Sequence, residues 1–465
     1  MNDEQPDLLQ TASPLEASTS VPVQEELEAT LAPEQIDTET TPSEPLPIMS
    51  VNELRTIPMT DLQAQAEEAG LRLNGEVTKS RLVFELGRYY LNHQRELVVE
   101  GVMEQAKDNY AMLRDPVKSF KTSPDDIYVP GDLIRKFHLK AGNWVKVRLR
   151  PLRPRDKYLS ACEVLEVEGK PADAFVPGKD FDRLTPLFPR DRIILENRKI
   201  ESPALRVLDL MSPFGKGQRG LIVAAPRSGK TVMLKTIARS ILENYKDIEL
   251  IILLLDERPE EVSDFEETVG SGAAVYASTF DEPSRRHAQV SDLVIERAKR
   301  LVEQGKDVVI MLDSLTRLAR GYNANQVGGR IMSGGLGANA LEKPRKFFGA
   351  ARNVEEGGSL TILATCLVET ESRMDEVIFE EFKGTGNMEI RLDTELAERR
   401  IYPAISLNQS GTRNDDRLYN ELEFQKILQI RRQVAALPGW EGLELLLKNI
   451  DQTQNNAELE LRGLR

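Results

Sequence analysis

Beyond residue 47 the apolar positions repeat with a period that changes twice along the chain. From Ile48 to about Gln94 the spacing is helical: Thr60 and Gln63 form a capping-box pair, and Gly70 supplies a stop. A second helix is predicted from near Thr78, with Leu82, Leu86 and Tyr89/Tyr90 on one face. Between Glu96 and Glu168 the period shortens toward two, as in Val145-Lys146-Val147-Arg148-Leu149-Arg150, which predicts a small antiparallel barrel. Pro and Gly cluster from Gly169 to Arg192 and read as a linker. Four continuous apolar runs follow, Gly220 to Ala225, Leu250 to Leu255, Val308 to Leu312 and Leu360 to Ala364, separated by segments long enough for crossover helices. Such runs predict a parallel sheet covered on both faces. The expected organisation is a tail at 1–47, a helical unit at 48–95, a barrel at 96–170, a linker at 171–200 and an α/β domain at 201–465.

Composition narrows the class. At 465 residues, 40% hydrophobic and 29% charged, the chain reads as a soluble multidomain protein. None of its apolar runs approaches the ~20 residues of a membrane span. No basic-then-apolar signal opens the chain, so a cytoplasmic location is expected. Two cysteines and three histidines support neither a disulfide framework nor a zinc site. The net charge of −14 is concentrated at one end, because residues 1–47 hold eleven acidic residues, seven prolines and no Lys, Arg or aromatic. That segment reads as a disordered acidic tail. The other 418 residues carry a net −3, so an RNA or DNA partner is not excluded.

The most specific motif is Ala224-Ala225-Pro226-Arg227-Ser228-Gly229-Lys230-Thr231, between an apolar run and the helical stretch from Val232. A tight loop opening a helix aims N–H groups and the helix dipole at phosphates, while Lys230 adds charge and Thr231 a hydroxyl for Mg²⁺. The second apolar run ends in Asp256-Glu257-Arg258, and either acid there could orient a water. The third ends in Asp313-Ser314, the pattern of a carboxylate serving the Mg²⁺ shell.

Further stretches carry a resemblance: Gly215-Lys216-Gly217-Gln218-Arg219-Gly220, Asp313 to Arg320, Phe347 to Leu360, Phe382 to Glu389 and Ser410-Gly411-Thr412-Arg413. With the motifs above, the chain from Ile48 onward resembles the Rho family of bacterial transcription terminators. The resemblance implies a RecA-like P-loop ATPase domain preceded by a helical subdomain and an OB-fold, cold-shock-like barrel. It also implies a homohexameric 5′→3′ RNA translocase that uses ATP and Mg²⁺ to unwind RNA–DNA hybrids and displace RNA polymerase. On that basis Lys230, Glu257, Asp313 and Arg413 are catalytic, Arg413 reaching into a neighbouring subunit's site. Nucleotide contacts are expected from Gly215 to Gly220, Arg227, Ser228, Gly229, Thr231, Val232, Arg258 and, as the adenine platform, Tyr402. Thr231 and Asp313 would hold the metal.

Two RNA sites are implied by the same resemblance. The barrel site comprises Asn109, Tyr110, Ala111, Met112, Leu113 and Arg114, then Asp126, Ile127 and Tyr128, then Asp156, Lys157 and Tyr158. Aromatic rings stack bases and carboxylates accept from exocyclic amines. Met112 replaces a family phenylalanine and is expected to be a vacant stacking position. The pore site comprises Gly328, Gly329, Arg330, Ile331, Met332, Ser333, Gly334 and Gly335, with Arg373. Two other readings share parts of this pattern: a rotary or export ATPase subunit, and an RNA-binding scaffold with a degenerate nucleotide site.

Overall fold

The apolar stripe of the first helices is closed by the barrel that follows it in sequence. In a computed structural model the described residues run from Ile48 to Arg465, apart from 72–74, 76, 108, 327–330 and 332. The tail at 1–47 lies outside them. Helices α1 (Val51–Thr56), α2 (Met59–Glu68) and α3 (Lys79–Asn92) bury Leu54, Leu62, Leu82, Val83 and Leu86 against barrel residues such as Leu97, Val99 and Leu159. Thr78 caps α3 by accepting from the Arg81 amide, and Gly70, at φ +68°, ends the α2 turn. The expected cap at Thr60 is not formed. Pro58 occupies the N-cap of α2, which leaves Thr60 inside the helix with its hydroxyl donating to Asp61.

Five strands close the barrel: β1 (Leu97–Lys107), β2 (Tyr110–Arg114), β3 (Ile127–Pro130), β4 (Trp144–Arg150) and β5 (Leu159–Val167). They run in the order β1-β2-β3-β5-β4 with β4 pairing back to β1. All pairings are antiparallel except β3 with β5, where Ile127 faces Leu159 and Tyr128 faces Ser160. Alternation sends Ala111, Leu113, Ile127, Val129, Val145 and Val147 inward.

The larger sheet runs β8-β7-β9-β10-β6-β11, all parallel: β6 (Arg219–Ala224), β7 (Ile248–Glu257), β8 (Ala274–Thr279), β9 (Asp307–Asp313), β10 (Ser359–Leu367) and β11 (Met388–Arg391). Along β7, Leu250, Ile252 and Leu254 enter one core while Ile251, Leu253 and Leu255 enter the other, which is why the run is continuously apolar. Strands β8 and β11 were not among the expected runs. The first is an edge strand with half-open positions, and the second has four residues, too few to show a period.

The Pro/Gly-rich stretch before this domain is pinned to it. Phe181 and Leu184 enter one core and Ile193 and Leu195 the other, while Pro186–Leu187 and Arg192–Ile193 each add a short antiparallel pairing. The barrel docks directly as well: Phe120, fully buried, packs on Tyr276 with ring centroids 4.4 Å apart, and Arg297 grips Glu168 at 2.7 Å. Gly142, at φ +85°, lies so close to Glu296 that a Cβ there would stand 2.3 Å from its carbonyl carbon. Gly142→Ala should therefore cost more than about 1 kcal/mol of stability, read as a lowered thermal midpoint. An unchanged midpoint would mean that the two backbones separate freely.

Candidate functional site

The phosphate loop is built by two left-handed residues. Arg227 at φ +66° and Gly229 at φ +95° turn the chain between β6 and helix α4 (Lys230–Asn244), and the buried Ser228 hydroxyl donates to the Ala225 carbonyl at 2.7 Å. This places the N-terminus of α4, with Lys230 and Thr231 in its first turn, at the C-terminal edge of the sheet.

Strands β7 and β9 end at the same edge. A bulge at Asp256 breaks the register of β7 between Leu255 and Glu257 and separates the two acids. Glu257 turns toward the loop, and the Lys230 ammonium donates to its carboxylate at 3.1 Å and to Asp313 at 2.5 Å. Asp256, at φ +57°, pairs instead with Arg317 at 2.7 Å. Geometry thus chooses between the two acids that the sequence left open. Thr365 on β10 donates to the same Asp313 oxygen at 2.7 Å and fixes that carboxylate. Neither Thr365 nor Arg317 was singled out from the sequence. Arg317 stood inside a quoted motif without a role, and Thr365 sits in an apolar strand that gives no sign of a polar task.

Electrostatics follow from this packing. Burial, then the neighbouring Asp313, push Glu257 up to about 7 against the opposing pull of Lys230. For Lys230 burial acts downward, but Asp313 and Glu257 outweigh it and hold the ammonium above its ordinary value. A carboxylate with raised proton affinity, beside a fixed cation and a helix N-terminus, can accept a proton from a water attacking a phosphoryl group. The Thr231 hydroxyl and Asp313 carboxylate are hard oxygen donors of the kind Mg²⁺ takes together with substrate phosphates and water.

Tyr402 is half-exposed and stands beside the loop, since a Cβ on Gly229 would lie 3.9 Å from its ring. Val232 is exposed next to it and Arg258 is exposed at the start of the helix after β7. The stretch Gly215 to Gly220 departs from expectation. It lies at the other end of β6, where Gln218 and Arg219 bond Asn387, so within one chain it does not line the phosphate loop. Arg413 is at that far end too, its amide donating to the Asn387 carbonyl at 2.8 Å.

On the barrel, Tyr110 and Tyr128 stack with centroids 5.4 Å apart and an interplanar angle of 26°. Tyr158 is 37% exposed, and Asn109 and Lys157 are exposed nearby in the chain. Most of the remaining expected contacts are buried. Ala111, Leu113 and Ile127 face the barrel core. Arg114 is buried between Glu104 and Asp126, and Asp126, with no exposed surface, also accepts from the Ser123 amide at 2.7 Å. The motor covers that end of the barrel, where Gln289 donates to Glu104 at 3.0 Å. Burial lifts Asp126 to about 6 even though Arg114 draws it down. Asp156 staples its own loop by accepting from Arg150 and the Arg153 amide. Met112 is 5% exposed and faces Tyr128 across the strands, so it is not a vacant position.

Of the pore residues, Gly328, Gly329, Arg330 and Met332 lie outside the described residues. Ile331 is exposed, the turn Ser333–Gly335 follows, and Gly334 approaches the Arg373 carbonyl closely enough that a Cβ would stand 3.1 Å from it. The turn Ser333–Gly335 and exposed Arg373 thus stand side by side. Arg373 opens helix α5 (Arg373–Lys383), which is tied by Asp375 to Arg320 on the helix after Asp313 (Leu315–Ala324), at 2.7 and 2.8 Å.

Comparison with known proteins matches these two halves separately. Residues 99–173 match the Rho termination factor RNA-binding domain, and 204–412 match the nucleotide-binding domain of the ATP synthase alpha/beta family. Transcription termination factor Rho of Akkermansia muciniphila is 70% identical over 456 residues, covering 98% of this chain and 93% of the relative. The factors of that name from Pseudomonas aeruginosa and Escherichia coli are 46% and 45% identical, each covering 88% of this chain and 98% of the relative. Among solved structures, an ATPase from a bacterial type III secretion system superposes with a TM-score of 0.51 at 22% identity, over 68% of this chain and 90% of its own. That likeness concerns the fold. If the half-buried pair Tyr110 and Tyr128 stacks bases, Tyr128→Ala should weaken binding of a labelled single-stranded RNA by about 1–3 kcal/mol without changing its salt slope. Unaltered affinity in a fluorescence titration would remove Tyr128 from the surface.

Proposed function

The chain belongs to the Rho family of transcription termination factors, and from that premise we propose how its geometry performs RNA-dependent ATP hydrolysis and termination. The protein is an RNA-binding ATPase of transcription termination. The observation that carries the mechanism is the meeting of Lys230, Glu257 and Asp313 at one sheet edge, the ammonium 3.1 Å from Glu257 and 2.5 Å from Asp313.

Lys230 and the loop amides from Arg227 to Thr231 bind the β- and γ-phosphates of ATP, and Tyr402 carries the adenine. Thr231 and Asp313 would hold Mg²⁺, which would offset phosphate charge. Glu257 orients the attacking water and takes its proton, while Arg258 senses the nucleotide from the next helix. The assembly is a homohexamer in which Arg413 completes the site of a neighbouring subunit. Its charge on the γ-phosphoryl group from across an interface makes hydrolysis depend on ring geometry. Single-stranded RNA is gripped first on the barrel tyrosines and then by the loops around Gly334 and Arg373, and turnover moves it 5′→3′ until RNA polymerase is displaced. The work is cytoplasmic, where nascent RNA is made.

The decisive experiment is ATP hydrolysis with and without RNA in the full chain. Lys230→Ala and Glu257→Gln should each abolish RNA-stimulated turnover while RNA binding to the barrel persists. Near-normal turnover in Glu257→Gln would remove it as the base.

A pH profile tests the same assignment. Protonated Glu257 cannot accept a proton, so kcat/KM should fall as pH drops through the value of about 7 that burial gives it. A limb confined to the ordinary carboxylate range would place the base elsewhere.

A further inference from the structure

Four arginines meet at the end of the motor sheet opposite the phosphate loop. Arg219 opens β6, Arg352 precedes β10, Arg413 follows the short edge strand Gly411–Thr412, and Arg417 lies four residues beyond it. With Gln218 and Asn387 they line a cleft of about 460 Å³ that has no Asp or Glu in its wall. Among the described residues none of the four makes an ion pair. Elsewhere in the same domain Arg192, Arg317, Arg320 and Arg431 all have carboxylate partners.

What holds Arg219, Arg352 and Arg417 is neutral. Arg219 donates to the carbonyls of Thr385 and Ala351 at 3.0 and 2.9 Å, and Arg352 to that of Ala350 at 3.1 Å. Arg352 also lies over the Phe181 ring and Arg417 over the Phe188 ring, at 5.1 and 4.3 Å. Carbonyls and rings orient guanidinium groups without cancelling their charge. Repulsion is felt within the cluster, since burial, then Arg352 and Arg413, lower the proton affinity of Arg219. The amide oxygen of Gln218, which is 1% exposed, has no hydrogen-bond partner.

Gathering like charges is unfavourable unless a multivalent anion joins them. Guanidinium forks match phosphoryl oxygens bidentately, and several around one cleft suit a chain of phosphates better than one carboxylate. We propose that this cleft is an oligophosphate site, in which Arg352 and Arg417 act together with Arg413 on the phosphates of the nucleotide held by the neighbouring subunit. Arg219 is a positioning residue that fixes the wall of the cleft. The inference rests on the reading of Arg413 as a residue acting across the subunit interface. It also gives the stretch Gly215 to Gly220 a nucleotide role from the far end of β6, where the same chain's phosphate loop is out of reach.

The test uses full-length protein carrying Arg413→Ala, Arg417→Gln, Arg352→Gln or the last two together, each also mixed in increasing proportion into wild-type rings. Expected results are a mixing curve for Arg413→Ala that falls more steeply than the mutant fraction, and a KM for ATP raised at least about tenfold in the double variant. Affinity for single-stranded RNA should be unchanged, and Arg352→Lys or Arg417→Lys should restore part of the loss. A linear curve for Arg413→Ala would defeat the reading beneath the inference. A steep curve for Arg413→Ala with wild-type KM and kcat in the double variant would leave Arg413 acting alone and defeat the inference itself. Loss of RNA affinity with a shallower salt slope and an unmoved KM would assign the phosphates to RNA, again overturning it. Arg417 is exposed and bonds no backbone group, so Arg417→Gln alone decides the matter should Arg352→Gln fail to fold.

Discussion

The motor half depends on one electrostatic arrangement, a lysine ammonium held between two carboxylates delivered by different strands. Lys230 comes from the turn after β6, Glu257 from the end of β7 and Asp313 from the end of β9. Parallel strands alone bring their C-terminal ends to one edge, which is why ligands of open α/β sheets bind there. The bulge at Asp256 then sorts two consecutive acids into different tasks, one facing the lysine and the other Arg317. Without it, alternation along the strand would turn Glu257 away from the cation.

The barrel follows a different constraint, because one of its outer faces is shared. Where the strands meet the motor, Arg114 and Asp126 are buried and paired, with half-buried Glu104 on the other side of the guanidinium, while Tyr110 and Tyr128 stack on each other elsewhere on the barrel. Charge close to the joint serves cohesion, and the stacked tyrosines lie away from it. Aromatic rings occur in both regions, Phe120 at the joint and Tyr110 with Tyr128 away from it, so type alone does not tell them apart.

That explains what was legible in the sequence. The period changes revealed the barrel and the parallel sheet, and the phosphate loop was plain because its residues are adjacent in the chain. Asp313 and Glu257 were readable as strand ends. The fate of Arg114 and Asp126 was not, since their burial depends on elements far away in sequence, such as the helix of Gln289, which bonds Glu104 beside them. Nor did the motif Gly215 to Gly220 announce which end of β6 it occupies relative to the nucleotide. A local match carries residue identity but not the direction in which a strand runs past it.

The segment between barrel and motor bears on how such a protein can be divided. Phe181 and Leu184 fill one face of the sheet and Ile193 and Leu195 the other, so a stretch that looks dispensable closes both cores. A cut placed there would leave each face open to water along an apolar strip. The motor is therefore not a cassette that starts at the first strand of its sheet. Its packing reaches upstream of that strand, to Phe181, and any recombination that preserves both cores has to carry this segment along with the ATPase.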